Sequence, residues 1–149
     1  MERLYTAEAT AYGARTGAVV STDDRLDLKL SRPAAMGGDD GPGTNPEQLF
    51  AAGYAACFHS AMRHAVREVG LTPAALEGSR VTARVHFLKA PPADFGLAVE
   101  LELHAPAMDA AQALEIMELT HQICPYSKAT SGNVDVQLLV AQTAPADAP

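Results

Sequence analysis

The chain has 149 residues and a mass of 15.6 kDa, the size of a single domain spanning 1–149. With 48% hydrophobic and 19% charged residues it is too apolar for global disorder. Eleven Lys and Arg against eighteen Asp and Glu leave a net charge of -7 and a pI near 5.1, which lacks the basic footprint of phosphate-backbone binding.

The opening residues Met1-Glu2-Arg3-Leu4-Tyr5-Thr6 show no basic leader followed by an apolar core, so a cytoplasmic location is expected. Residues 3–30 read as a strand meander. Ala18-Val19-Val20 and the alternating Leu26, Leu28 and Leu30 carry the pattern of half-buried strands, and Thr22-Asp23-Asp24 makes a turn. Arg15 lies in an earlier turn between Gly13 and Gly17, and the Gly- and Pro-rich residues 33–43 read as a loop. The spacing then predicts a helix over residues 46–69. Thr44 or Asn45 can cap it, Pro46 suits its first turn, Glu47 favours the positive end of its dipole, and Gly70 can end it. Its longest apolar run, residues 49–58, is far shorter than the roughly 20 residues that span a bilayer, so no membrane partner is expected. That run is apolar on nearly every side, and a helix apolar all round must be buried all round. A chain this short has difficulty surrounding one, which points to an oligomer whose core the helix occupies.

Val81, Ala83, Val85 and Phe87, then Leu97, Val99, Leu101 and Leu103, alternate over two strands joined by a Pro91-Pro92 loop. A second amphipathic helix is expected over 108–123, with Leu114, Ile116 and Met117 apolar and Glu115 and Glu118 outward. Cys124-Pro125 breaks it, because a residue before proline is pushed out of the helical region. Val134, Val136 and Leu138 form a last strand, and residues 141–149 read as a flexible tail. The order β-β-β, long α, β-β, α, β predicts an α+β fold in two layers.

The two cysteines, Cys57 and Cys124, form no CxxC, and in a reducing cytosol any pairing between them is transient chemistry. Cys57 alone reads as a small buried hydrophobe. Three features shift that reading: Cys124 at a proline break, Arg15 in a Gly-flanked turn, and Glu47 in the first turn of the helix that carries Cys57. Together they supply a thiol, a fixed cation to favour its thiolate, a carboxylate to orient the cation, and a second thiol to resolve an oxidised sulfur. Arg15 also reads as a solvated turn arginine. Glu47 and Cys57 are separated by roughly 15 Å along a continuous helix, so they share a site only if two copies of the helix cross antiparallel near residue 52. Ala51, Ala52, Gly53, Ala55 and Ala56 are small enough to allow close approach there. Cys57, His59, His64, His121 and Cys124 give only a weak zinc pattern, and surface histidines are the preferred reading; no metal or other cofactor is expected. A non-catalytic carrier of apolar ligands is a further alternative.

The stretches Gly43-Thr44-Asn45-Pro46-Glu47-Gln48-Leu49-Phe50-Ala51-Ala52-Gly53-Tyr54-Ala55-Ala56-Cys57-Phe58 and Cys124-Pro125-Tyr126-Ser127-Lys128-Ala129-Thr130-Ser131-Gly132-Asn133-Val134 resemble the two signature blocks of the organic hydroperoxide resistance (Ohr) branch of the OsmC/Ohr family. The likeness extends over nearly the whole chain. It implies antiparallel sheets wrapped around two central helices in an intertwined homodimer. The implied activity is a thiol peroxidase that reduces organic hydroperoxides to alcohols and is recycled by dithiols of lipoylated proteins, with thioredoxin as the alternative reductant. Position by position, Cys57 matches the peroxidatic cysteine, Cys124 the resolving cysteine, Glu47 the acidic partner, and Arg15 the arginine that separates Ohr from the OsmC branch. An OsmC-type stress protein of broader peroxide specificity is the neighbouring alternative. Two departures stand out: Thr16 follows Arg15 where an acidic residue is common, and Asp23-Asp24 replaces an Asp-Gly turn. The resemblance further implies a disulfide between Cys57 and Cys124 of one chain. A channel lined by Phe, Met and Leu is expected to favour apolar hydroperoxides over hydrogen peroxide.

Overall fold

The structure, a computed structural model, describes residues 1–141. The expected tail at 141–149 therefore lies, from residue 142 on, outside the described residues. The chain divides into two compact units, Met1–Leu49 and Phe50–Pro149.

In the first unit, β1 (Ala9–Tyr12), β2 (Ala18–Ser21) and β3 (Asp27–Lys29) form an antiparallel sheet in that order. The meander begins later than the expected residue 3. Residues 1–8 form no strand, and Leu4 and Tyr5 are exposed, because apolar residues without a regular alternation give a sheet no face to bury. Between β1 and β2 the chain makes a single 3-10 turn, Ala14–Thr16, entered through left-handed Gly13 and Ala14. Gly17 closes it, and a side chain there would land on the carbonyl oxygen of Tyr12. The loop at 33–43 holds one further 3-10 turn, Ala34–Met36. Its far end is tied back by hydrogen bonds from Thr44 N to Lys29 O and from Ser31 N to Thr44 O, both 2.9 Å.

The long helix α1 runs over Pro46–Glu68. Asn45 is its cap: its Oδ1 accepts from the Gln48 N–H at 2.8 Å, while the Thr44 hydroxyl donates to the Gln48 side chain. Left-handed Gly70 ends the helix, with Leu71 N donating to Val66 O at 2.8 Å.

In the second unit, β4 (Arg80–Ala90) and β5 (Asp94–His104) form a long antiparallel hairpin, and β6 (Asp135–Val140) joins β5 in parallel. The expectation of purely antiparallel sheets is corrected here. Between β5 and β6 the chain crosses through two helices, α2 (Ala110–Ile123) and α3 (Pro125–Thr130), and a helical crossover returns it in the same direction. Alternation within a strand does not carry that information. Helix α3 was not expected; Pro125 at its first position is suited to starting a helix as well as to breaking one. Helix α2 opens with a capping box between Asp109 and Gln112, which fixes its phase so that Ala113, Ile116, Met117 and Thr120 are buried. Leu114, expected on the apolar face, is instead 40% exposed.

The core of this unit is a helix layer on one sheet face. Tyr54, Phe58, Met62, Ala65 and Val66 of α1 meet Val99, Leu101 and Leu103 of β5 and Ile116 and Met117 of α2. The i, i+4 and i+2 spacings are those of one helical stripe and one strand face. Along α1 the opposite stripe, Ala52, Ala56 and Ser60, is exposed in the single chain. The outer part of the β4–β5 hairpin also leaves Leu88 and Phe95 exposed. No helix among the described residues is long and apolar enough to cross a membrane.

Candidate functional site

In the first unit the 3-10 turn presents Arg15 to Glu47 in the first turn of α1. The guanidinium donates through Nη1 to Oε2 at 2.9 Å and through Nη2 to Oε1 at 2.7 Å. This bidentate fork matches the carboxylate's two oxygens, the arrangement for which arginine is suited and lysine is not. Arg15 is therefore no solvated turn residue: its side chain is 28% exposed and that of Glu47 14%. The hydrogen bonds to Arg15 hold the Glu47 carboxyl below its ordinary range, against burial, which raises it. The same bonds push Arg15 further up.

In the second unit α1 carries Cys57 three residues after Tyr54, while Cys124 occupies the junction of α2 and α3. Its ψ of 126° lies outside the helical region, as the following proline requires. The Cys124 N–H still donates to Thr120 O at 2.8 Å and its carbonyl accepts from Lys128 N at 3.0 Å, so the residue ends one helix and begins the next. Both thiols are free; Cys57 is half-buried and Cys124 fully buried. Their sulfurs lie 3.6 Å apart. A disulfide needs about 2.05 Å, so closure calls for a movement of well under one bond rotation's reach. Burial pushes the Cys57 thiol up; the backbone of Tyr126 acts in the opposite sense, and the neighbouring Cys124 thiol raises it again. The direction is opposite to that of an activated thiolate.

A cleft of about 590 Å³ opens at Cys57, with Ala61, Ile123 and Pro125 on its apolar side and Ser60, His64 and Glu68 on the other. The expected lining of Phe, Met and Leu is corrected. Phe58 and Met62 face the core, since the helical stripe that holds them is the one buried against β5. The aromatic residues gather instead beside the cysteines. Tyr126 lies with ring centroids 5.8 Å from Tyr54 and 6.2 Å from Phe50. Gly53 makes room for it: a Cβ there would lie 3.0 Å from the Tyr126 hydroxyl and 3.2 Å from a ring carbon.

Two histidines of the weak zinc pattern have hydrogen-bonded partners. His59 Nε2 lies 2.9 Å from Ser79 Oγ, whose own hydrogen is donated to Leu76 O at 2.7 Å, so the imidazole donates. His121 Nδ1 lies 2.9 Å from Ser127 Oγ. Burial lowers the pKa of both rings, with Arg63 adding to the effect at His59. Among the described residues no group of three or more His, Cys, Asp and Glu could hold a metal ion. Sequence reading gave Tyr54, Tyr126 and Ser127 no role and took Gly53 only as a small residue at a helix crossing, whereas here it makes room for Tyr126. The available signal was their place within three residues of a cysteine or one helical turn from it.

Residues 37–139 match the family of OsmC-like proteins. The chain is 47% identical over 141 residues to the organic hydroperoxide resistance protein of Xanthomonas axonopodis pv. citri, covering 93% of this chain and 95% of that one. The chain belongs to the OsmC/Ohr family. Among solved structures, the organic hydroperoxide resistance protein OsmC of Legionella pneumophila superposes with a TM-score of 0.85 at 44% identity, over 94% of this chain and 99% of that one. The organic hydroperoxide resistance protein OhrB of Bacillus subtilis gives 0.80 at 40% identity, over 93% and 100%. The mixed α+β architecture with two sheets is thus that of the OsmC/Ohr fold.

Proposed function

We propose that this protein is a cysteine-based peroxidase that reduces organic hydroperoxides to alcohols. The observation that supports this most is the pair of free thiols 3.6 Å apart, one opening on a cleft and the other fully buried. The relatives named for organic hydroperoxide resistance supply the substrate class. In this reading the Cys57 thiolate attacks the distal peroxide oxygen. An S–O bond forms, the O–O bond breaks, and the alkoxide takes up a proton to leave as the alcohol. The Cys124 thiol then displaces the hydroxyl of the Cys57 sulfenic acid as water, giving an intrachain disulfide. A dithiol returns both thiols by exchange; we assign lipoylated proteins as its source in preference to thioredoxin, a choice that turnover assays with the two reductants side by side would check.

Because burial opposes ionisation of Cys57, the first step needs a cation. We assign that part to Arg15, held by the two oxygens of Glu47. Ten residues of continuous helix separate Glu47 from Cys57, or roughly 15 Å. The active site is therefore assigned to a homodimer in which one copy supplies Cys57 and Cys124 and the other Arg15 and Glu47. The exposed stripe of Ala52 and Ala56 and the exposed Leu88 and Phe95 support burial against a second copy.

Substrate preference tests the reading. Burying about 100 Å² of an apolar tail at about 25 cal/mol per Å² stabilises binding by about 2.5 kcal/mol, so an alkyl or aryl hydroperoxide should outpace hydrogen peroxide by one to two orders of magnitude in kcat/KM. Equal turnover of hydrogen peroxide would count against the cleft, and activity surviving in Cys57→Ser would overturn the mechanism.

A further inference from the structure

Four side chains of the second unit form a continuous hydrogen-bonded chain around the two cysteines. His121 Nδ1 meets Ser127 Oγ at 2.9 Å, Ser127 Oγ meets Tyr54 Oη at 3.0 Å, and Tyr54 Oη meets Thr130 Oγ1 at 3.2 Å. Tyr54, Ser127 and Thr130 are 0%, 1% and 4% exposed, so water does not compete for these groups. The far end fixes the direction. Thr130 donates its only hydroxyl hydrogen to the carbonyls of Tyr126 and Ser127, at 3.0 and 3.1 Å. It must therefore accept from Tyr54, which accepts from Ser127, which accepts from His121 Nδ1–H.

The chain ties together the three elements that carry the sulfurs. His121 and Ser127 stand three residues before and after Cys124, and Tyr54 stands three before Cys57 on α1. Helix α3 has six residues, far fewer than an isolated helix needs, and the non-helical Cys124 interrupts the helix between it and α2. What places Cys124 is accordingly the tertiary anchoring of its two neighbouring turns. We propose that the chain His121–Ser127–Tyr54–Thr130 is a positioning clamp that holds Cys124 against Cys57 and sets the rate of disulfide closure rather than that of peroxide attack. The inference rests on the roles assigned to the two cysteines above. In the step concerned the Cys124 sulfur bonds to the Cys57 sulfur, the S–O bond of the sulfenic acid breaks, and the hydroxyl leaves with the thiol proton as water.

Reduced protein is mixed rapidly with one equivalent of cumene hydroperoxide; peroxide loss is followed directly, and the sulfenic acid by quenching with dimedone and intact-mass spectrometry. Tyr54→Phe and Ser127→Ala each lose two hydrogen bonds of the chain; at about 0.7 kcal/mol each this is about 1.4 kcal/mol, which corresponds to about tenfold. Tyr54→Phe and Ser127→Ala should each prolong the sulfenic acid about tenfold while peroxide loss in the first turnover changes less than about twofold. Ser127→Thr, which keeps the hydroxyl, should restore closure. Closure at the wild-type rate in both variants, or an equal fall of both steps, overturns the clamp. A titration of the Cys57–Cys124 pair against a glutathione redox buffer uses no peroxide and separates the two claims. If Tyr54→Phe lowers the effective concentration of the two thiols about tenfold, the clamp stands even where the wild type proves inert to hydroperoxide; if it does not, the clamp fails even where the peroxidase reading holds. Urea unfolding of each variant confirms that the folded protein is being measured.

Discussion

Glu47 and Arg15 meet through two parallel hydrogen bonds, and the carboxyl's pKa is depressed by them. A group whose folded pKa is lowered contributes stability that is fully present above its unfolded value, about 4.3 for Glu, and lost as the pH falls below that through the folded value. The urea midpoint of the wild type should therefore drop relative to that of Glu47→Gln below about pH 4.3, with the difference constant at neutral pH. Cys57 presents the opposite problem, since burial raises its pKa. If Arg15 supplies the cation, Arg15→Gln should move the thiolate absorbance titration of Cys57 upward and slow peroxide reduction at neutral pH by about tenfold for each unit moved. An unmoved titration would remove Arg15 from the reaction. The residues proposed to react were readable by type, because a thiol, a guanidinium and a carboxylate each bring distinctive chemistry. Tyr54 and Ser127 were not, because a phenol or hydroxyl acquires a role only from the partner it meets across the fold.

At the scale of elements, α1 and the crossover between β5 and β6 decide where the sulfurs lie. Helix α1 was legible from its cap, its proline and its closing glycine, all of which act locally. Its fit to α3 depends on Gly53, over which Tyr126 lies. Gly53→Val should push the ring away and lower stability by about 1–3 kcal/mol, visible as a lower urea midpoint together with altered Tyr126 emission. A small rise in stability, as helix propensity alone would give, would show that the contact is yielding. The parallel pairing of β6 was illegible. Alternation tells which face of an element is buried, whereas direction and partner are set by the connection.

The proposed homodimer makes a prediction for the whole molecule. Cys57→Ser and Glu47→Ala chains, each poor alone, should regain one working site per mixed dimer when refolded together. If activity stays at the level of the parents although mass spectrometry finds the mixed dimer, Glu47 acts on its own chain or only as a charge at the start of α1. The expectation of a second copy came from composition, through a helix with too many apolar sides for its chain to cover. The exposed Ala52 and Ala56 of α1 are what that imbalance becomes in three dimensions.

The sequence by itself determined the elements and their order, save β1's late start and α3, because capping, periodicity and proline act within a few residues. It also carried the two blocks that identify the OsmC/Ohr family, and it singled out Cys57, Cys124, Arg15 and Glu47. Only the tertiary structure decided that Arg15 and Glu47 pair in a fork, that the two sulfurs lie 3.6 Å apart, and that a buried chain of hydroxyls runs beside them. The partners in each case stand 32, 67 and 73 residues apart in sequence. Contacts at that separation come from the packing of whole elements, and no local rule of the chain encodes them.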